Sequence, residues 1–402
     1  MIKETMTSKE RILAAINLEP YDRVPVAPHL NYEYPFRRKG RSTADAYNFA
    51  YAADGAQYVK DLIDEVGGID AFTLALGPGP LTAPLMTLYA VLYGDNMKFP
   101  GADDRLSGQD SPPQFAERQI LTADDYDTII KMGWHNFCMA NMDRISSSIL
   151  GVPLSALPLS DFAKAMTDGY IATRDTWQQR GVPIIGGTLL ADPQMLLCLV
   201  RGLVEFTLDL YRQPDKVKEV LKIMSRDIIE ETIKAMLSTG PAPAERIPGV
   251  MLSCERGSAT YYNLKIYEEF IWPCIKEQIL AYHEAGFVTT LHFDTDWTLN
   301  LPYLLEVPAK SCIVELDSTS DIFKAKEILG NHLCIMGDVP ASISSHGTSE
   351  EMREYCEKLI EVVGKDTGFI LSTGCAVPPD TKFENFKMMI DTAKNYPPPR
   401  SR

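Results

Sequence analysis

"VTTLHFDTDW", residues 288–297, is a short run of β-branched and apolar residues that closes on a histidine, two aspartates and a tryptophan. Its first half is apolar on both faces, as a strand must be inside a parallel sheet covered from both sides. Runs of the same kind recur at "VPIIGG" (from Val182), "GVMLSC" (from Gly249), "CIVELD" (from Cys312), "LCIMGD" (from Leu333) and "GFILST" (from Gly368). Helical stretches such as "QPDKVKEVLKIMSRDIIEETIKAML" and "SEEMREYCEKLIEVVG" lie between them. Two earlier runs, "RVPVAPH" (Arg23–His29) and "GIDAFTL" (Gly68–Leu74), raise the number of strands to eight. Eight alternating strand–helix units predict an α/β fold, a (β/α)8 TIM barrel.

The barrel is expected to be one domain over residues 1–402, with about 75–180 as a long helical and loop insertion after the second strand. "ALGPGPLTAP" and "FPGADDRLSGQDSPPQF" are too rich in Pro, Gly and Asp for a plain barrel segment. "SKERILAAINLE" (Ser8–Glu19) reads as a helix with Ser8 as its N-cap.

Composition excludes several partners. The chain is 45% hydrophobic and 23% charged, with a formal charge of -15. That balance argues against nucleic acid and against an anionic membrane surface, since the longest basic cluster is "FRRKGR" (Phe36–Arg41). No apolar run approaches the roughly 18 residues of a membrane span, and the N-terminus lacks the apolar core of a signal peptide. The eight cysteines are scattered with no CxxC pair. Reduced thiols and a cytoplasmic setting are expected. The oligomeric state is left open, a homodimer being among the assemblies admitted.

In a barrel of this type the active site lies at the C-terminal mouth, just past the strand ends. There the sequence sets His29 and Asn31, Cys254 and Glu255, His292 and Asp294, Asp317, Asp338 and Cys375. That is dense for a chain with only 6 histidines. His292 and Asp294 are two apart in an extended segment and share a face. Cys375, in "ILSTGCAVPPDT", comes from the end of the last strand. An imidazole, a carboxylate and a thiolate with an open fourth position describe a catalytic zinc site. Singly, a histidine is ordinarily a satisfied hydrogen-bonder and a cysteine a small buried residue. Their joint placement is what points to metal. Glu255 reads either as a general acid raised by burial or as a partner in a loop ion pair. Asp317 and Asp338 read as orienters of His292 or as helix N-caps.

The stretches "SKERILAAINLEPYDRVPV", "VEFTLDLYRQPDKVKEVL" and "STGCAVPPDTKFENFKMMIDTAK" resemble the uroporphyrinogen decarboxylase superfamily over nearly the whole chain. The resemblance implies one of two branches. Decarboxylases of tetrapyrroles carry an N-terminal arginine-rich motif and a histidine before "PP"; here the chain reads "APHLNYEYPFRRKG" and has Cys375. The corrinoid-linked methyltransferases hold zinc (Zn2+) through an H-x-C pair and a later Cys. His292 and Cys375 match two of those positions, and Asp294 replaces the middle Cys. The resemblance also implies Asp317 as a displaceable fourth ligand.

The expectation is therefore a zinc-dependent methyltransferase that moves a methyl group from a small methylated substrate to a separate corrinoid (cobalamin) protein. The chain has no D-x-H-x-x-G motif of its own for that cofactor. Glu255 or Asp338 would protonate or orient the leaving group. His29, Asn31, Tyr32, Tyr261 and Tyr262 would line the substrate, and an aryl methyl ether suits the loops "LNYEY" and "ATYYN", which serve equally as wall packing. The alternatives are a metal-free tetrapyrrole decarboxylase and a non-catalytic binding barrel.

Overall fold

The computed structural model describes residues 4–48, 51–72, 119–150, 159–186, 188–239 and 249–397, together with 97–98, 100, 108–111, 114–115, 153–156 and 247. A two-residue antiparallel pair, β1 (Met97–Lys98) and β2 (Gln114–Phe115), precedes six parallel strands. These are β3 (Thr188–Ala191), β4 (Val250–Ser253), β5 (Thr289–Phe293), β6 (Cys312–Leu316), β7 (Cys334–Val339) and β8 (Phe369–Thr373), paired in sequence order. The two earliest runs complete the ring. Ala27 N donates to Leu371 O and Leu371 N to Pro25 O, both at 2.9 Å. Asp70 N donates to Val26 O (2.8 Å), Phe72 N to Pro183 O (2.9 Å) and Ile185 N to Phe72 O (2.8 Å). Eight parallel segments thus close into an α/β barrel.

Helix α1 (Ser8–Ile16) packs Ile12, Ala15 and Ile16 against Ala27, Ala71, Ile185, Val288, Ile313, Cys334 and Ile370. These residues lie near the N-terminal ends of the barrel segments, so α1 plugs the floor. Its N-cap is Thr7, in a capping box with Glu10, and Ser8 is the first helical residue. This corrects the expected cap by one position: Thr7, not Ser8, has the extended backbone that lets its hydroxyl reach the Glu10 N–H.

Below the plug, Asp70 is saturated. It accepts from Arg11 Nη1 (2.6 Å), Arg23 Nη1 (2.7 Å), the Val26 N–H (2.9 Å) and Ser8 Oγ (3.1 Å). Arg11 also pairs with Asp22 at 2.7 Å. This buried network ties the first helix to the first two barrel segments.

Of the insertion expected over about 75–180, the helices Asp125–Met132, Trp134–Leu150 and Leu159–Gln179 are described. "ALGPGPLTAP" and most of "FPGADDRLSGQDSPPQF" lie outside the described residues.

Side-chain alternation now has a direction. Val288, Ile313, Cys334 and Ala27 belong to the interior cluster at the floor, and strand residues at even spacing from them share their face. Thr290 and His292 therefore point into the barrel on β5, as does Glu315 on β6. The interior is apolar at the floor and polar near the mouth.

Candidate metal centre

The centre is built where β5, β6 and the segment after β8 meet. His292, the last inward-facing residue of β5, is 5% exposed. Asp294 follows as the chain leaves the strand. Thr295 then adopts a left-handed backbone, φ 72°, which turns the chain sharply. Trp297 stacks on Phe293 with ring centroids 3.8 Å apart and gives its Nε1–H to the Asp294 carbonyl at 2.8 Å. The aromatic pair clamps the backbone on either side of Asp294.

Cys375 is fixed from the other side. Thr373 Oγ1 donates to the Cys375 carbonyl (2.6 Å) and accepts from the His29 N–H (3.2 Å), while Val377 N donates to His29 O (2.8 Å). A Cβ at Gly374 would stand 3.1 Å from Asp317 Cα and from Ser318 N, so a side chain there would press on the segment after β6. All eight cysteines are free; seven are buried and Cys375 is exposed.

The three donors converge. His292 Nε2 lies 3.3 Å from Asp294 Oδ1 and 3.7 Å from Cys375 Sγ, and Cys375 Sγ lies 3.9 Å from Asp294 Oδ2. Tetrahedral zinc, with ligands at roughly 2.0–2.3 Å, sets neighbouring donor atoms about 3.3–3.6 Å apart. The three separations lie within a few tenths of an ångström of that, the two to Asp294 being to its two different oxygens. Asp294 Oδ1 is buried, and its nearest polar neighbour is His292 Nε2 at 3.3 Å; a cation at the donor cluster would satisfy both atoms. The residues fit the ion.

Behind the triangle stands Glu315, fully buried on β6. Its Oε2 lies 2.8 Å from His292 Nδ1 and its Oε1 3.0 Å from His29 Nδ1. The two imidazoles meet edge to face, centroids 5.2 Å apart.

The charged groups of the cluster shift one another strongly. Burial lowers the His292 pKa, but Glu315, Asp294 and Cys375 outweigh it and hold the metal-free imidazole well above its usual value. Burial raises Glu315, and the two histidines bring its carboxyl down to about 2. Asp294 is lowered by His292 against the upward push of its own burial. Although Cys375 is exposed as a residue, desolvation of its thiol at the barrel mouth raises its pKa, with His292 opposing.

The other expected site residues fall into distinct places. Asp317 is not brought into the donor triangle. Its Oδ2 accepts from Thr295 N (3.0 Å) and its Oδ1 from Thr319 N (2.9 Å) and Thr319 Oγ1 (2.5 Å), so the carboxylate is spent on the backbone of two loops. That corrects its expected role as fourth ligand. It is not a helix cap either, because Asp321 caps the next helix. Asp338 is neither the orienter of His292 nor a cap. It is 2% exposed and accepts from Tyr355 OH at 2.8 Å, Pro340 holds the cap position after it, and Glu315 is the carboxylate beside the His292 Nδ1. Burial pushes the Asp338 carboxyl up to about 7, with the Tyr355 bond opposing.

Glu255 accepts from Ser253 Oγ, its neighbour on the same face of β4. Cys254, on the opposite face, is fully buried. His29 joins the centre through Glu315. Asn31 Oδ1 is buried and has no partner, and the Tyr32 ring meets Phe36. Tyr261 is 41% exposed and Tyr262 4%. Glu315 is not among the residues that strand ends point to, because it lies within β6. Its signal was available: a carboxylate inside the apolar run "CIVELD", two positions before Asp317 and on the same face.

Fold and site together define an α/β barrel with a mixed N/O/S cluster of possible metal-binding side chains at its C-terminal mouth. The uroporphyrinogen decarboxylase (URO-D) family matches residues 159–396, more than half of the chain, and the chain belongs to that family. The chain is 28% identical over 133 residues to a uroporphyrinogen decarboxylase of Chlorobium phaeovibrioides, covering 32% of this chain and 37% of that protein. It is 29% identical over 133 residues to the methylcobamide:CoM methyltransferase MtbA of Methanosarcina acetivorans, covering 33% and 37%. The match thus spans about 37% of the length of these curated relatives. A solved methyltransferase from Methanosarcina mazei has the same fold, with a TM-score of 0.67 at 15% identity, covering 98% of this chain and 99% of that one. Among the described residues no helix is long and apolar enough to cross a membrane.

Proposed function

We propose that this chain is a zinc-dependent methyltransferase that takes a methyl group from a small methylated substrate and passes it to the corrinoid of a separate protein. The observation that carries the reading is the convergence of His292 Nε2, the Asp294 carboxylate and Cys375 Sγ at the barrel mouth. Bound zinc would supply Lewis acidity toward the heteroatom that carries the methyl group. With a carboxylate in place of a second thiolate the ion stays harder, which favours an oxygen-bearing donor such as an aryl methyl ether.

The chain's own residues have separable tasks. His292, Asp294 and Cys375 hold the ion, and the Phe293–Trp297 stack and Thr373 keep two of them in place. Asp338, buried and held near neutrality, suits a proton donor to the departing heteroatom, with Glu255 as the second carboxyl across the mouth. Asn31, with a buried oxygen lacking a donor, suits a substrate N–H or O–H. His29, Tyr32 and Tyr261 complete the lining, while Tyr262 serves as wall.

A metal-free tetrapyrrole decarboxylase is the second reading, since relatives of that name match as well as MtbA does. It needs arginines free to bind several carboxylates. Arg11 and Arg23 are spent on Asp22 and Asp70 at the floor. Arg37, Arg38 and Arg41 are paired with Asp110, Glu65 and Asp45.

Elemental analysis decides between them. About one zinc per chain, lost in Cys375→Ala and His292→Ala, supports the methyltransferase. A metal-free wild type that has been purified without chelators would sink it. Methyl transfer to a reduced corrinoid protein then tests the reaction itself.

A further inference from the structure

Gln194 lies in the first turn of the helix Pro193–Arg201, which begins directly after β3 and its capping residue Asp192, and it has no solvent exposure. A helix that follows a barrel strand starts at the C-terminal face, so this side chain belongs to the mouth. Its amide is oriented by the Arg256 carbonyl, just past β4, which lies 3.4 Å from Nε2. A carbonyl only accepts, so the nitrogen faces it and Oε1 is turned elsewhere. Oε1 is buried and has no hydrogen-bond partner. Asn31 presents the same condition just past the first barrel segment, where its Oδ1 is buried without a partner.

Counted round the closed barrel, these two oxygens stand apart from the donor cluster. His292 and Asp294 come from the end of β5 and Cys375 from just past β8, whereas Gln194 comes from just past β3. Eight strands about 4.8 Å apart and tilted about 36° make a ring about 15 Å across. A small molecule held at the cluster therefore directs its far end toward β3. An amide oxygen only accepts hydrogen bonds, and a buried acceptor left without a donor is costly. The charges on that side agree. Asp192 and Glu255 are its carboxyls, and the one guanidinium, of Arg256, turns Nη1 toward Cys198 Sγ at 3.9 Å.

We infer that Gln194 is a specificity-determining residue and that, with Asn31, it selects a methylated substrate whose end away from the methyl group carries a hydroxyl or an amine. A carboxylate there would set acceptor against acceptor, and a hydrocarbon would leave both oxygens unmet. The inference rests on the methyltransferase reading above and names the substrate class of that same mouth. A hydroxyl fills one of the two oxygens; an amine brings more than one hydrogen.

Four para-substituted methyl ethers of one shape separate the classes: para-methoxyphenol, para-methoxyaniline, para-methylanisole and para-methoxybenzoate. Their binding to the zinc-loaded, full-length chain is to be measured by isothermal titration calorimetry for wild type, Gln194→Met and Asn31→Leu, with circular dichroism as a folding control. Methionine keeps the length of the glutamine side chain and removes both amide atoms.

Wild type is expected to bind the phenol and the aniline about 10-fold or more tighter than para-methylanisole, with the benzoate weakest. Gln194→Met should lose about 2–10-fold toward the phenol and the aniline and stay within about twofold of wild type toward para-methylanisole. A loss spread equally over all four ethers is a packing effect and would overturn the inference. So would a wild type that prefers the methyl or carboxylate compound, or that holds zinc and binds none of the four. If Gln194→Met does not fold, the wild-type order of the four ethers and the response of Asn31→Leu decide. A chain that holds no zinc sinks the underlying reading instead, and that is seen before any ether is added.

Discussion

Asp317 holds the backbone N–H of Thr295 at 3.0 Å, and so couples the segment after β6 to the one residue that turns the chain just past Asp294. Thr295 has φ 72°, a region that β-branched residues rarely enter. The charged hydrogen bond offsets that strain.

Removing the anchor should be felt in the metal site without abolishing it. Asp317→Ala is expected to lose about 1.5–3 kcal/mol of stability and to weaken zinc binding while still loading the ion. Thr295→Gly in that background should recover part of the stability, since glycine enters this region at little cost. Thermal melts with zinc titrations check both. Complete loss of metal in Asp317→Ala would make Asp317 a ligand after all.

Asp294 sets the hardness of the donor set. Asp294→Cys is expected to keep about one zinc per chain, because thiolate is a good zinc ligand. The softer set should lower turnover of an oxygen-bearing methyl donor. Asp294→Ala should weaken zinc binding outright. Turnover unchanged in Asp294→Cys would separate the carboxylate from the chemistry.

Asp192 provides a pH test away from the centre. It is fully buried at the N-cap of the helix Pro193–Arg201, where Oδ1 accepts from Gln194 N and Met195 N and Oδ2 has no partner. Burial pushes its carboxyl up to about 7. The folded chain therefore keeps a proton that the unfolded chain releases near pH 4, and stability falls as pH rises from about 4 to about 7. Asn caps equally well and does not titrate. Asp192→Asn should thus be more stable relative to wild type at pH 8 than at pH 5, as read by denaturant melts at both pH values. An identical difference at the two would refute the buried proton.

Asp70 is the stability test. With two guanidinium groups, a backbone N–H and a serine hydroxyl on one buried carboxylate, Asp70→Ala leaves buried charge unpaired. A loss of about 3–5 kcal/mol is expected, with zinc stoichiometry intact in whatever fraction stays folded. A loss below about 1 kcal/mol, the range of an exposed pair, would show the network to be dispensable.

Much of the barrel could be read directly. The apolar runs from "VPIIGG" to "GFILST" and the helices between them are local patterns, and local patterns survive in sequence. His292, Asp294 and Cys375 were legible for a related reason: strand ends of a parallel barrel meet at one mouth, so position along the chain implies position in space. Glu315 is less legible because it lies within a strand and not at its end, although a carboxylate inside "CIVELD" has no apolar explanation. Asp317 and Asp338 both end strands, and nothing local says whether a strand-end carboxylate turns toward a loop, as Asp317 does, or meets a tyrosine on a later helix, as Asp338 does.

Sequence by itself therefore determined the class of fold, the mouth and the donor types, since each depends on periodicity and on which atoms can bind an ion. Tertiary structure decided which carboxylates those donors actually meet. Thr295 took a left-handed turn that drew Asp317 onto its N–H, Tyr355 took up Asp338, and closure of the barrel brought His29 to the far oxygen of Glu315. Those partners are 17 to 286 residues apart in the chain. A hydrogen bond between them depends on ångström-scale placement that no short stretch of sequence encodes.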